Sequence, residues 1–413
     1  MIDSSSRIRQ SVASFLFLAA AGAVLAQGPL LPPTSANGTI GTVPPISGSG
    51  IPQGSMKTLH QIEPRTPVSA AMTISDPGSY YLVQNIAVAS GNGIVITAPN
   101  VTLDMRGFTV SSTASPAAGT AVLIESTAEQ VTIFNGNIRG NVSFSGGSPG
   151  SYSGSGFLHG IRAPSLNSEN LRLEDVSIDG CLGDGINLEP GSGSGFGGNN
   201  SIVTTCLVRN VAGDGIRAEI VEECVVRRCG GNGVTALKAS HCAVVTTGSS
   251  GVTSEGINAS VLQSSIAESP QRGIAAEQAV NCRGAGVSQE GIVGKKLTNC
   301  DGSSSQGAGV SADIAVNCRG FSFFGTGLSA QTATNCMGEN QSGINGRGLS
   351  ASCAVNCYGE SLSGAFGLTV AGTVSFSTGK RNGGVAIEGG NAIGCTVEGT
   401  GSVSVLTKSL GTP

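Results

Sequence analysis

The run GIAAEQAVNCRGAGVSQE (273–290), GIVGKKLTNCDGSSSQGA (291–308), GVSADIAVNCRGFSFFGT (309–326) decides the fold. Three consecutive blocks of 18 residues each open on Gly plus Ile or Val and carry Asn-Cys at positions nine and ten. Aligned on that glycine, units begin at Gly215, Gly233, Gly251, Gly273, Gly291, Gly309, Gly327, Gly348 and Gly367. Their lengths are 18, 18, 22, 18, 18, 18, 21 and 19 residues. A fixed period near 20 marks a solenoid. Eighteen residues cannot hold two packed helices, and Gly, Ser, Thr and Asn at this density oppose helix. Short alternating segments punctuated by Gly and Asn are strands and turns. Three short strands per unit, with like positions stacked ~4.8 Å apart, give a parallel β-helix.

Two columns run through the repeat. Asn281, Asn299, Asn317, Asn335 and Asn356 suit a tight bend, because Asn tolerates the left-handed conformation and its amide can bond to the next Asn in the stack. Cys224, Cys242, Cys282, Cys300, Cys318, Cys336 and Cys357 form the other, with Ser260 in the 22-residue unit. Alternation after the bend turns Cys inward and the next residue (Arg283, Asp301, Arg319, Tyr358) outward. The expected inward positions are 2, 4, 7, 10 and 12. A left-handed hexapeptide helix wants an apolar residue every six positions, which this spacing does not supply. The expectation is an all-β, right-handed parallel β-helix with coils of about 18–22 residues. The 12 cysteines include no paired CxxC motifs of a zinc site. Stacked cysteines lie within disulfide range, but in-register parallel strands rarely offer the dihedral, so buried thiols are expected.

Composition agrees and excludes other classes. Glycine is 64 of 413 residues, charged residues are 12%, Trp is absent and the formal charge is -4. That balance removes a basic nucleic-acid binder, and the hydrophobic 39% is too high for a disordered chain. Arg7 and Arg9 precede an apolar run from Phe15 to Leu25 and a small-residue site at Val24-Leu25-Ala26. Residues 1–26 therefore read as a secretory leader, too short to span a membrane. A Pro/Gly/Ser-rich linker follows over 27–58. The β-helix is expected over 59–408, with an N-terminal cap at 59–118, the most regular coils at 215–385 and a tail at 409–413. This organisation predicts a secreted, periplasmic or cell-surface protein with no membrane span after cleavage.

The segments Asp76–Leu82 and Asn100–Phe108, with the later Gly327–Ala330 and Asn335-Cys336 units, resemble secreted bacterial right-handed parallel β-helix proteins of the broad pectate-lyase-like group. The resemblance covers nearly all of the chain from about residue 59 and implies the fold. It leaves activity open, because one such scaffold hosts lyases, hydrolases and adhesins. It implies that an enzyme of this kind would use clustered carboxylates, often with Ca²⁺, and an Arg, Lys or His to move the proton. No other cofactor is evident.

Carried toward the N-terminus, the Asn column becomes Asp175, Thr205, Glu223 and His241. Four positions on stand Asp179, Arg209 and Arg227, with Arg228 beside the last. Before the Gly-Ile pairs, Asp184 and Asp214 are expected to stack, with Arg217 one strand position later. Candidate catalytic residues are Asp184, Asp214, Arg217, Arg227 and His241, and candidate metal ligands are Asp175, Asp184, Asp214 and Glu223. The sober alternative is a solvated charge ladder, and His159-Gly160-Ile161 reads as a turn. Two Gly/Ser-rich insertions, Phe144–Phe157 and Leu188–Asn200, carry Tyr152, Phe157 and Phe196 as candidates for stacking on sugar rings. Phe321-Ser322-Phe323-Phe324 reads as a cap over one coil. With His60, His159 and His241 the only histidines, no nucleophilic triad is supported. The expected function is non-catalytic binding of a polysaccharide or cell-envelope component, or an envelope-structural role. The alternatives are a lyase or hydrolase on acidic polysaccharide, and a structural filament.

Overall fold

The computed structural model describes residues 65–408 except 148–149, 166–167, 189–198, 250–253, 343–344 and 365. The leader, linker and tail, Phe196 and Gly251 lie outside the described residues. Among those described, the strands join into one 36-stranded sheet plus a two-stranded antiparallel hairpin. Apart from that hairpin the pairings are parallel, coil on coil, as in Ile216↔Val234 and Val234↔Ile257. The fold is the expected all-β parallel β-helix.

One coil shows why. Ile216–Arg217, Ile220–Glu222 and Val225–Cys229 are three short strands separated by bends. Downstream the first two fuse, as in Ile292–Thr298, and the bend survives where Lys295 and Lys296 are exposed in succession. The bend before Cys is made by a left-handed residue in coil after coil. Asn281, Asn299, Asn317, Asn335 and Asn356 have φ between 51° and 57°, and Asp175, Thr205, Glu223 and His241 between 50° and 55°. The register carried toward the N-terminus therefore holds. Asn299 and Asn317 each donate their amide to the Asn oxygen of the preceding coil at 3.1 Å.

The interior differs from expectation at three points. Positions 2, 7, 10 and 12 point inward, and position 4 is buried at Ala218, Ala236 and Ala351 but only partly buried at Ala276, Ala312 and Ala330. Position 14 is buried and polar instead: Ser269, Ser304, Ser322, Asn340 and Ser361. These residues pin the closing corner from inside, since Ser322 Oγ accepts the Gly325 N–H at 2.8 Å and donates to the Gly307 carbonyl at 2.7 Å. Third, the unit after Gly233 begins at Gly256, not Gly251, because Val234 pairs with Ile257 and Ile257 with Ile274. Ser265 rather than Ser260 continues the Cys column, its Oγ accepting the Cys242 N–H at 3.1 Å.

The cysteine column needs a small buried donor. Cys206, Cys224 and Cys318 each donate to the carbonyl two residues back at 3.2–3.3 Å, closing the left-handed bend. Ser265 and Ser377 make the same contact at 2.8 Å, which is why serine replaces cysteine there. All twelve cysteines are free thiols, and all but Cys353 are buried. Burial pushes the Cys242 thiol up to about 11 and Cys181 up to about 12.

The core also tapers. Position 12 runs Val208, Val226, Val244, Ala267 and then Gly284, Gly302, Gly320, Gly338 and Gly359. A Cβ at Gly320 would run into the Gly327 carbonyl oxygen, so the walls of these coils meet backbone to backbone.

Candidate functional site

The corner before the first strand presents one side chain per coil, two residues ahead of the buried Ile/Val column. Asn92, Thr120, His159, Asp184, Asp214, Asn232 and Glu255 occupy it in order. Asn92 Oδ1 accepts the Thr120 N–H at 2.9 Å, and His159 Nδ1 accepts that of Asp184 at 3.1 Å. Asp184 Oδ1, Asp214 Oδ1 and Asn232 Oδ1 each accept the N–H of the next residue in the column at 2.8–2.9 Å. The side chains lie over backbone that has no room for a Cβ: one at Gly213 would strike Asp184, and one at Gly231 would strike Asp214. The Asp-Gly and Asn-Gly pairs are thus an inter-coil ladder in which one oxygen per side chain is committed to the fold.

A second column stands three residues on, at Arg162, Asn187, Arg217, Thr235 and Asn258, along the outer face of the first strand. It meets the first column rung by rung. Arg162 Nη1 lies 3.2 Å from His159 Nε2, and Asn187 Nδ2 donates to Asp184 Oδ2 at 2.8 Å. Arg217 Nη1 stands 3.9 Å from Asp214 Oδ2, and Asn258 Nδ2 donates to Glu255 Oε2 at 2.6 Å. The free oxygens of the corner column are therefore turned toward an amide or guanidinium face. Further along, Arg272 bridges Glu255 at 2.5 Å and Glu290 at 3.0 Å.

Burial and charge tune two groups here. Burial raises the pKa of Asp214, and the Asp184 carboxylate one rung away raises it further, against the Asn232 N–H and Arg217. Burial lowers the pKa of His159, with Arg162 adding to the drop and Asp184 opposing it. Nδ1, as acceptor of the Asp184 N–H, carries no proton, so the ring is a neutral imidazole. In front of the second column runs an open groove of about 740 Å³, lined by Arg217, Asn232, Thr235 and Asn258 and further on by Ala275, Val293, Lys295 and Asp313.

The structure brings Asp184, Asp214 and Arg217 together. It places Arg227 elsewhere, exposed on the outer face of the third strand beyond Arg209, whose guanidinium pairs with Asp179 at 3.0 Å. His241, Asp175 and Glu223 sit exposed on the left-handed Asn corner, and Thr205 separates the last two. Among the described residues no three His, Cys, Asp or Glu side chains converge to hold a metal. Phe157 requires a correction: it is fully buried core and cannot stack on a ligand. Tyr152 lies on the hairpin Asn141–Ser145/Ser151–Ser155, its ring 5.1 Å from Phe144 and its hydroxyl bonded to Thr247. Burial raises the Tyr152 pKa to about 12. Phe323 and Phe324 are not a cap, because both rings are exposed.

The sequence reading missed His159 and Arg162. The signal was present: His159-Gly160-Ile161 matches Asp184-Gly185-Ile186 and Asp214-Gly215-Ile216, and Arg162 matches Asn187 and Arg217. The spacing there is 25 and 30 residues, against 18 in the regular coils, which hides the repeat.

No protein-family model matches the chain, and no curated protein matches it. Among solved structures it is similar to the enzymatically active domain of tailspike protein 2 of bacteriophage CBA120. That match has 13% identity and a TM-score of 0.24, over 72% of this chain and 39% of the other. It is also similar to the Dettilon tailspike protein, at 14% identity and a TM-score of 0.26, over 81% of this chain and 61% of the other. The chain thus spans under two thirds of either. Among the described residues no helix is long and apolar enough to cross a membrane.

Proposed function

We propose that this protein binds an extended polysaccharide along the outer face of the first strand, without cleaving it, as an exported or surface component. The observation that carries this reading is the groove running past Arg217, Asn232, Thr235 and Asn258. The donors and acceptors of the second column stand on three successive rungs, Arg217, Thr235 and Asn258, ~4.8 Å apart, close to the rise of one sugar in an extended chain. Ala275 and Val293 continue the column. The groove is open and its lining mixes polar side chains with Ala259, Ala275, Ala276 and Val293, as suits a chain that offers both hydroxyls and ring faces. The corner carboxylates favour binding over chemistry because each commits one oxygen to the backbone ladder.

A second reading has one observation in its favour. Asp214, whose pKa is raised by burial and by Asp184, stands beside Arg217 and is the carboxyl best placed for proton transfer to an acidic polysaccharide. Any Ca²⁺ in that chemistry would fall to Asp184 and Asp214, which supply too few oxygens alone. One experiment separates the two. The purified chain is tested for binding by calorimetry against neutral and acidic glycans. The same panel is screened for unsaturated products and new reducing ends, with Ca²⁺ and with chelator. The binding reading expects saturable affinity, weakened about tenfold or more by Arg217→Ala, and no turnover. Turnover lost in Asp214→Asn would establish the enzyme instead, and silence in both assays would remove both.

A further inference from the structure

The corner that closes each coil, after the third strand, carries a second periodic surface. In five successive coils its first outward position is Val287, Ser305, Phe323, Gln341 and Leu362. Backbone bonds along the stack fix that register. Gln306 donates to the Val287 carbonyl at 2.9 Å, Phe323 to Ser304 at 3.0 Å, Gln341 to Ser322 at 3.1 Å and Leu362 to Asn340 at 3.1 Å. Apolar and polar residues therefore alternate, with an apolar one on every second rung. Val287 is 51% exposed, Phe323 38%, Phe324 54% and Leu362 52%. Phe323 and Phe324 meet edge to face, centroids 4.7 Å apart and planes at 75°, and form one angular platform. Ser305, Gln306 and Gln341 beside them are exposed, and neither outward position of this corner carries a charge between Val287 and Ser363.

Leaving two phenyl rings in water is unfavourable, and in a chain that is 4% aromatic a pair of them on one corner calls for an occupant. The base beneath is rigid. Ser304, Ser322 and Ser361 are buried, and their hydroxyls accept the N–H groups of Gly307, Gly325 and Gly364 at 2.8–2.9 Å. Such a base holds the rings in place before any ligand arrives.

We propose that this corner is a second glycan site, separate from the Arg217 groove, that takes a neutral, flat ribbon polysaccharide such as a β-1,4-linked glucan. In a ribbon of that kind each ring is turned half a revolution from the last, so the same sugar face recurs on every second residue. Two rungs of this solenoid span about 9.6 Å, the length of one such disaccharide. A ribbon lying along the axis sets alternate apolar ring faces on Val287, the Phe323–Phe324 platform and Leu362. The equatorial hydroxyls along the ribbon's edges reach Ser305 and Gln341 on the rungs between. Phenyl faces and amide or hydroxyl groups without charge are the chemistry that reads a neutral sugar.

The test uses the whole chain against insoluble β-1,4-glucan and soluble cellohexaose. A linear α-1,4-glucan and polygalacturonate serve as controls. The wild type is expected to be retained on the ribbon glucan, and Phe323→Ser/Phe324→Ser to weaken binding about tenfold or more with an unchanged far-UV spectrum. Should that variant fail to fold, Leu362→Ser and Val287→Ser are expected to give smaller losses in the same direction. Arg217→Ala is expected to leave ribbon binding intact. No retention of the wild type, retention indifferent to the phenylalanines, or equal Phe-dependent binding of the α-glucan overturns the proposal. Loss on Arg217→Ala alone overturns it too while leaving the groove reading standing. Phe-dependent self-association in sedimentation, without glucan binding, assigns the corner to a second copy and likewise overturns it.

Discussion

At Asp214 one carboxylate oxygen accepts the Asn232 N–H while the other faces Arg217, so a structural and a functional demand meet in one side chain. The two are separable because the next rung performs the structural part with Asn232, which accepts the Glu255 N–H in the same way. Burial, then Asp184, holds the native pKa of Asp214 above its ordinary 3.8. The native state therefore binds this proton more tightly than the unfolded chain does. The resulting stabilisation is full below about pH 4 and is lost as pH rises through the raised native value. Asp214→Asn keeps the acceptor and removes the titration. In urea at pH 7 it is expected to unfold at the wild-type midpoint or above, with a flatter stability profile above about pH 4. Asp214→Ala leaves the Asn232 N–H without its acceptor and is expected to cost about 1–3 kcal/mol. If the Asn variant falls as far as the Ala variant, the charge itself holds the corner. His159 works in the opposite sense: its lowered pKa gives stability that is present above about 6.5 and lost as pH falls through the native value.

At the scale of the strand and its corner, the regular coils were legible because one residue type marks each bend. Asn at a left-handed position is chemically distinctive, and the register it sets carried through to Thr205 and Glu223, where the amino acid itself gives no hint. What was hidden followed from chemistry that a hydropathy pattern cannot express. The position-14 serines read as polar surface, yet they are buried because each bonds the backbone of its own corner. Gly251-Val252 copies the start of a unit, and only strand pairing shows that Gly256 is the true one. Phe157 sits in an insertion that looks like loop, but its ring fills the core beside the hairpin. The Gly column at position 12 gives this scale its own prediction. A side chain at Gly320 meets the Gly327 carbonyl and the Leu328 side chain. Gly320→Val is therefore expected to destabilise by about 1–3 kcal/mol, whereas Val226→Gly, where the core is wide, empties a cavity instead. Denaturant midpoints check both, and a Gly320→Val protein as stable as wild type would mean that the walls part easily.

Across the whole solenoid the core and the two proposed binding surfaces change together along the axis. The coils from Ile86 to Leu262 are filled with Ile, Leu and Val, together with Met105 and Phe157, whereas those from Ile274 to Cys357 hold mainly Ala, Cys and Gly around one Ile, Val or Leu, or two where Ile292 and Leu297 share a coil. Each late coil therefore removes less apolar surface from water and depends more on its backbone ladder and on the Asn and Ser columns. In a solenoid, stability is close to a sum of coil and nearest-neighbour terms, so this difference is local rather than shared. The wide coils carry the charged corner of His159, Asp184 and Asp214, where insertions and buried charge are costly, and the narrow coils carry the neutral corner of Phe323 and Phe324. Hydrogen exchange read by mass spectrometry is expected to show the slowest backbone exchange between about residues 120 and 262, rising toward the last described strand, Ser402–Lys408. Uniform protection along the axis would show that the backbone ladder and the buried side-chain hydrogen bonds, not apolar burial, set the stability of each coil. The narrow end would then be as firm a platform for a ligand as the wide one.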